Sequence, residues 1–299
     1  MAYSRASAAV HAPQPAAVER SPGYWSNVWR RLRRDPVAMA AGSLILLLIL
    51  MAVLAPWITP ADPFHASMLR RLRPIGTPGY PLGSDELGRD LLSRLMLGAR
   101  LSLFMGITPV IAAFVLGSAL GVIAGYAGGM ANTVIMRTVD VFYAFPSVLL
   151  AIALSGTLGA GIFNALVSLT IVFVPQIARV AESVTTQVRR SDYVDAARAS
   201  GARSWTIVRV HVLSNVLGPI FVYATSLISV SMILASGLSF LGLGVRPPEP
   251  EWGLMLNTLR TAIYTQPWVA ALPGVMIFVT SISFNLLSDG LRSAMEVKE

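Results

Sequence analysis

Five stretches of this chain contain no Asp, Glu, Lys or Arg: residues 36–61, 101–136, 141–178, 210–245 and 261–288. A helix needs about 20 apolar residues to cross a hydrocarbon core about 30 Å thick. In lipid every backbone N–H and C=O must find its partner within the protein, so such stretches fold as membrane-crossing helices. The run 141–178 accommodates two helices joined tightly, and Ser155-Gly156-Thr157-Leu158-Gly159-Ala160-Gly161 supplies the turn. The expected fold is therefore an all-α integral membrane protein with six transmembrane helices, near 40–58, 101–125, 138–155, 162–179, 215–241 and 268–287. Composition agrees: 55% of residues are hydrophobic and 13% charged, against about 25% charged in soluble domains. The first span begins too deep in the chain, behind an arginine-bearing tail, to read as a signal peptide.

Residues 1–35 form a tail ahead of the membrane region 36–299. Residues 1–20 are Ala/Pro-rich and read as disordered. Ser21 and Pro22 then provide a cap and first turn, and Trp25, Trp29 and Leu32 fall on one face of a helix flanked by Arg30, Arg31, Arg33 and Arg34. That pattern predicts an interfacial helix resting on membrane lipid. The formal net charge of +8 comes from arginines spread between the apolar runs rather than gathered in one patch. They read as topology signals and headgroup contacts, not as a nucleic-acid surface. Most of the 23 basic residues lie in the tail, 126–137, 180–214 and the C-terminus. This places both termini and the 180–214 loop in the cytoplasm, although loop 59–100 also carries six arginines.

Several chemistries are excluded. There is no cysteine, hence no disulfide, thiolate metal site or cysteine nucleophile. His11, His65 and His211 lie far apart and no pair has metal-ligand spacing. Lys298 is the only lysine. A Walker A loop needs a lysine against its phosphates, so this chain binds no ATP that way, and any ATP-driven motor resides in another chain. No charged residue lies deep in a span, which disfavours an ion-driven secondary transporter. An intramembrane hydrolase using Asp140, a serine and a histidine is the competing enzymatic reading, but no deep dyad supports it. Arg137 and Asp140, three apart, are expected to pair locally.

The second span holds Gly117, Gly121 and Gly125, a strip where another helix backbone can approach closely, from this chain or a second subunit. Pro146 is expected to kink the third span. Ser226, Ser229 and Ser236 share one helical face, as do Ser281, Asn285 and Ser288. These faces either line a wet path or hydrogen-bond to neighbouring helices. In the loop 59–100, Ser84 is expected to cap a helix running to Arg94, with Asp85–Arg89 and Asp90–Arg94 as acid-first ion pairs. The acid spacing does not fit an EF-hand.

Between the fourth and fifth spans lies a polar island, 179–209. Ser191 is expected to cap a short helix, Asp192 and Asp195 occupy its first turn, and Gly201 ends it. Ala196 and Ala197 give it a small-residue face. A second helix from Ser204, with Trp205, Ile207 and Val208, leads into the fifth span. Such a helix, held between spans, suits either a docked soluble partner or a bed of headgroups.

Asp195-Ala196-Ala197, Gly201 and Leu213 stand in register with the EAA loop of bacterial ABC importer permeases. That pattern runs Glu-Ala-Ala, three residues, Gly, nine residues, Ile-x-Leu-Pro; here Asp195, His211 and Ser214 replace Glu, Ile and Pro. From about residue 30 to 295 the chain resembles the C-type permease of dipeptide and oligopeptide importers, a family that includes glutathione and nickel importers. The resemblance rests on Gly83-Ser84-Asp85-Glu86-Leu87-Gly88-Arg89-Asp90, Ser93-Arg94, Gly98-Ala99-Arg100-Leu101-Ser102-Leu103 and Met136-Arg137-x-x-Asp140. It also rests on Leu238-Ser239-Phe240-Leu241-Gly242-Leu243-Gly244, Pro247-Pro248-x-Pro250-Glu251-Trp252-Gly253 and Phe284-Asn285-Leu286-x-x-Asp289-Gly290-Leu291-Arg292.

The resemblance implies a type I importer permease that performs no catalysis. It would pair with a second permease subunit in the bacterial inner membrane to form the cargo pathway. Asp195, Ala196, Ala197 and Gly201 would belong to a coupling helix seated on one of two cytoplasmic ATPase subunits, which hold the ATP and Mg; this chain itself would carry no cofactor. An extracytoplasmic solute-binding protein would deliver cargo near Asp85, Arg89, Pro250, Glu251 and Trp252. Ser226, Ser229, Ser236, Ser281 and Asn285 are the pathway candidates. Driving such a pathway from almost closed to almost open takes about 5.5 kcal/mol of differential binding, which a rigid capped helix transmits better than a loop.

Overall fold

The computed structural model describes residues 24–295. The expectations for residues 1–23, including the Ser21 cap, lie outside the described residues. Among those described there is no β-strand, only isolated bridges at Thr77–Tyr80 and Ser84–Asp90.

The helices are α1 (Tyr24–Leu32), α2 (Pro36–Ile58), α3 (Leu91–Ala127), α4 (Gly129–Tyr143) and α5 (Ser147–Leu158). They continue with α6 (Ile162–Arg189), α7 (Asp192–Ala199), α8 (Ser204–Phe240), α9 (Trp252–Thr258) and α10 (Pro267–Met295). Five of them, α2, α3, α6, α8 and α10, are long and apolar enough to cross a membrane. α4 and α5 pass the same test only together and are bent by 87° at the residues between them. The third expected span is thus broken rather than kinked. Pro146 has no N–H to continue α4 and biases its predecessor out of helical geometry, so it stands as the N-cap of α5.

Local chemistry sets the other boundaries. The Asp35 carboxylate accepts from the N–H groups of Val37 at 3.0 Å and Ala38 at 3.1 Å, and Pro36 occupies the first turn of α2. Asp90 caps α3 by accepting from the Ser93 N–H at 2.8 Å and hydroxyl at 2.6 Å. Gly128, at φ 67°, ends α3 and opens α4. Residues 207–212 form a π-helical turn inside α8. The Ser214 hydroxyl donates to the Val210 carbonyl at 2.6 Å, and the helix runs on through Ser214 into the fifth span.

α3 and α6 form the central pair. A Cβ added at Gly117 would meet the Val174 oxygen at 2.9 Å, and one at Gly125 the Glu182 oxygen at 2.7 Å. The glycine strip therefore packs against a helix of its own chain. One apolar core, including Met105, Phe173, Ile177, Ile207 and Ile220, joins α3, α5, α6 and α8. A second, around Trp252, Leu91, Met232 and Phe284, joins α2, α3, α8, α9 and α10. α1 buries Val28 and Leu32 against Ala294 and Leu291 of α10. Trp29 lies on the exposed side with Arg33 4.8 Å over its ring, so the expected shared face of Trp29 and Leu32 does not form.

Candidate functional site

The polar island folds as expected in outline. α7 projects from one end of the bundle, fastened by Val194, which is fully buried, and by half-buried Ala197, which packs against the first core. Asp192, Asp195, Ala196, Ala199 and Gly201 remain exposed. The Arg198 guanidinium donates to the Asp195 carboxylate at 2.9 Å. Gly201 takes φ 80°, and the N–H of Ala202 closes the helix on the Ala197 carbonyl at 3.1 Å. Ser191 stands at the N-cap without a side-chain hydrogen bond, so the capping role expected of its hydroxyl is not made. A small-residue surface is thus held rigidly from beneath.

Beside α7 opens a polar cleft of about 570 Å³, lined by Gly128, Asn132, Glu182, Arg189, Asp195 and Arg198. The Asn132 amide donates to Glu182 at 2.7 Å and to the Ala124 carbonyl at 3.2 Å, tying α4 to α3 and α6. Sequence spacing gave no sign of this long-range link. The cleft thus lies between α7 and a braced junction of three helices.

At the opposite end, residues 84–90 are turns, not the first half of a helix. α3 starts only at Leu91, because Asp90 is spent as its cap. The Asp85 carboxylate instead closes a turn by accepting from the N–H groups of Leu87 and Arg89, both at 2.9 Å. It pairs with the Arg89 side chain at 2.6 Å, as the spacing predicts, and with Arg94 at 3.3 Å. Arg94 reaches the carbonyls of Pro63 at 2.9 Å and Pro248 at 3.4 Å, so the expected Asp90–Arg94 pair is replaced by a knot joining loop 59–90 to loop 241–251. The Ser84 hydroxyl is engaged by Arg73 and Arg70, not by a helix start.

Glu251 and Trp252 lie in the same knot. Glu251 caps α9, accepting from Gly253 at 2.9 Å and Leu254 at 2.8 Å and from the Ser102 hydroxyl at 3.1 Å. The Trp252 indole donates to the Leu95 carbonyl at 3.0 Å. Burial pushes the Glu251 carboxyl above the usual carboxylate range; the N–H groups of Gly253 and Leu254 and the hydroxyls of Ser239 and Ser102 pull the other way. Asp85, Arg89, Pro250, Glu251 and Trp252 are all buried. Their side chains support the surface expected to meet a delivery protein rather than forming it; Pro247, Pro248 and Glu249 are the exposed members.

The two serine faces converge only in part. Ser229, Ser281 and Asn285 line one open groove of about 540 Å³ between α8 and α10, together with Ile233, Phe278 and Ile282. Ser226 and Ser236 are not among its lining residues. Ser226 donates to the Tyr223 carbonyl at 2.7 Å, and Ser236 is buried. Asp140 pairs with Arg179 of α6 at 2.5 Å, not with Arg137. Its position on α4 points it across to α6, a pairing that no spacing within one helix reveals.

A broken-span helical bundle with a short helix held out at one end is the architecture of an ABC importer permease. The methionine transporter MetNI, in inward-facing conformations, matches it with a TM-score of 0.56 over 67% of this chain and 95% of that one at 20% identity. An amino acid ABC transporter crystallised with histidines matches with a TM-score of 0.51, over 66% of this chain and 91% of that one, at 14% identity. The chain belongs to the family described as "binding-protein-dependent transport system inner membrane component", whose model matches residues 117–297. The model for the N-terminal transmembrane domain of oligopeptide transport permease C matches residues 23–74. The glutathione transport system permease protein GsiD of Pectobacterium atrosepticum is 42% identical over 274 residues, covering 92% of this chain and 91% of that protein. The protein of that name from an Escherichia coli strain is 40% identical over 274 residues, covering 92% and 90%. The chain is accordingly a multi-span, non-catalytic permease subunit of an inner-membrane ABC importer.

Proposed function

We propose that this permease pairs with a second, different permease subunit to carry a peptide-like solute, with glutathione fitting at least as well as a di- or oligopeptide. The similarity to permeases named for glutathione, together with the oligopeptide permease C domain at residues 23–74, supports this cargo class. Two cytoplasmic ATPase subunits hold ATP and Mg, this chain holds no cofactor, and a solute-binding protein delivers from outside. Both termini and α7 face the cytoplasm, in keeping with the basic residues at that end. Residues 1–35 are a tail at the cytoplasmic surface and 36–299 the permease domain.

The observation that carries the reading is α7. Its small exposed surface at Asp195, Ala196 and Gly201 stands on buried Val194 and half-buried Ala197. A partner ATPase that moves this surface bears on α8 through Val194, which shares a core with Ile207 and Val212, and on α3 through Arg198, 6.0 Å over the Tyr126 ring. Nothing lies within 4 Å of a Cβ at Gly201, but its φ of 80° suits glycine, so a bulky residue there strains the turn that closes α7 as well as obstructing a partner. Ser229, Ser281 and Asn285 are the pathway candidates that share a groove.

The test is uptake of labelled glutathione and of a dipeptide by cells expressing the full transporter, with purification of the complex. Asp195→Lys, at an exposed position, should insert normally yet lose uptake and co-purification of the ATPase; Gly201→Trp should lose both through turn strain and obstruction together. Retention of both at full strength would remove the coupling role. Failure of wild-type uptake for both solutes would remove the cargo class.

A further inference from the structure

Arg189 ends α6 and Arg190 follows as its C-cap. Neither forms an ion pair among the described residues, yet both line the polar cleft beside α7. The two acids of that cleft are already engaged. Asp195 pairs with Arg198 at 2.9 Å, and Glu182 accepts from the Asn132 amide at 2.7 Å and from the Thr186 hydroxyl at 3.1 Å. Arg189 is also held in place. Its guanidinium lies across Gly128, where a Cβ would meet Nη1 at 2.5 Å, and Nη1 reaches the Gly125 carbonyl at 3.5 Å. The cleft, about 570 Å³ in volume, therefore carries unmatched positive charge, and one of its cations is already positioned.

The level of these arginines decides what can meet them. The charge-free run 141–178 ends at Arg179, so α6 leaves the membrane there. Ten further residues carry it to Arg189, about 15 Å beyond that boundary at 1.5 Å per residue. The end of α3 accompanies it, since Cβ atoms built at Gly121 and Gly125 would meet Ala181 and Thr185. A headgroup layer is about 5–8 Å thick on each side of the hydrocarbon core, so the cleft stands clear of lipid. Its anion must come from the aqueous side.

We infer that Arg189 and Arg190 receive an acidic side chain of the partner ATPase, a second contact beside the small-residue surface of α7. This rests on the reading of α7 as the ATPase contact. Three observations favour that occupant. A carboxylate is the charge the cleft lacks, and a guanidinium fork matches it in shape. The cleft shares Asp195 and Arg198 with α7, so one partner surface spans both. It also lies beyond the reach of lipid phosphate. The two contacts act on different helices. α7 bears on α8 through Val194 and on α3 through Arg198, whereas a carboxylate on Arg189 pulls directly on α6, and on α4 through the Asn132–Glu182 bond.

The test uses the assembled transporter and the scarcity of amines in this chain, whose only lysine is Lys298. Arg190→Lys keeps the charge and places a lone amine in the cleft. A carbodiimide, which joins amines to carboxylates at zero length, should link residue 190 to an Asp or Glu of the ATPase, read by mass spectrometry of the linked peptides. Linkage only to Glu182 or Asp195 of this chain, or to nothing while the ATPase is bound, would overturn the contact. Association supplies the second measurement. Arg189→Gln together with Arg190→Gln should weaken ATPase binding about tenfold or more, since a charge-assisted contact is lost. The same double variant should flatten the salt dependence of binding, which a merely structural role would leave alone. Wild-type affinity and salt dependence in the double variant, with binding lost in Asp195→Lys, removes this contact and leaves the α7 reading standing. A wild-type complex that holds no ATPase removes both.

Discussion

Alanine at Gly121 tests whether the α3–α6 seam sets the bundle. A Cβ there would lie 2.5 Å from the Ala181 Cβ and 2.8 Å from the Glu182 nitrogen, and closer still to the Ala178 carbonyl oxygen. Carbon atoms make comfortable contact at about 3.5–4.0 Å, so α6 must retreat by about 1 Å. It cannot pivot to do so. Gly117 and Gly125, one turn to either side, hold α6 backbone at similar range, with built Cβ atoms 2.9 Å from the Ile177 Cβ and 2.8 Å from the Thr185 Cβ. Overpacking of this kind costs about 1–3 kcal/mol. Alanine returns about 0.8–1 kcal/mol through its better helix propensity. The net expectation for Gly121→Ala is a loss of up to about 2 kcal/mol. Gly156 supplies the control: it sits in α5 with nothing within 4 Å of its built Cβ. Gly156→Ala should keep the propensity gain and stabilise by about 0.5–1 kcal/mol. Thermal unfolding of the two purified variants in one detergent should separate them by several degrees, on either side of the wild type. Equal midpoints, or a Gly121→Ala midpoint above wild type, would refute the seam as the determinant.

Two further outcomes follow from the knot at the other end. Arg94→Ala strips the carbonyls of Pro63 and Pro248 of a buried donor and Asp85 of one of its two cations; a loss of about 3 kcal/mol is expected, read as a lowered unfolding midpoint, with little recovery in Arg94→Lys because a single ammonium cannot span those positions. Because burial raises the Glu251 carboxyl, the folded chain keeps that proton to higher pH than the unfolded chain. The stability this contributes is complete below the ordinary value of about 4.3 and is lost as pH rises through the folded one, so Glu251→Gln should flatten a decline in unfolding midpoint across that window; an unchanged slope counts against it.

How much of this was legible in the chain follows from the kind of constraint involved. The bilayer imposes a one-dimensional rule, a minimum length without charge, and 36–61 or 261–288 declare it in the residue string. α7 was legible for a similar reason: acids at its start and a glycine at its end are local signals, and Gly201 indeed takes the left-handed backbone. The broken third span was legible only as an irregularity. Pro146 announces a disruption, but whether the helix bends or stops depends on what α6 and α8 offer the freed ends.

Pairings across helices were beyond local reading. Asp140 has Arg137 one turn away and Arg179 on another helix, and the fold chooses the second. Asp90 has Arg94 four residues on, yet capping α3 claims its carboxylate first and sends Arg94 to Asp85 and two proline carbonyls. The motif at Pro250-Glu251-Trp252 shows the same limit in another form. A motif records that certain residue types are required, not on which side of the surface they are required. Glu251 and Trp252 are required inside, where a carboxylate can cap α9 and an indole can reach Leu95. The outer face is left to Pro247, Pro248 and Glu249, whose positions this interior fixes. Substitutions of Glu251 therefore act on any delivery protein through the shape of that loop and not through a lost contact.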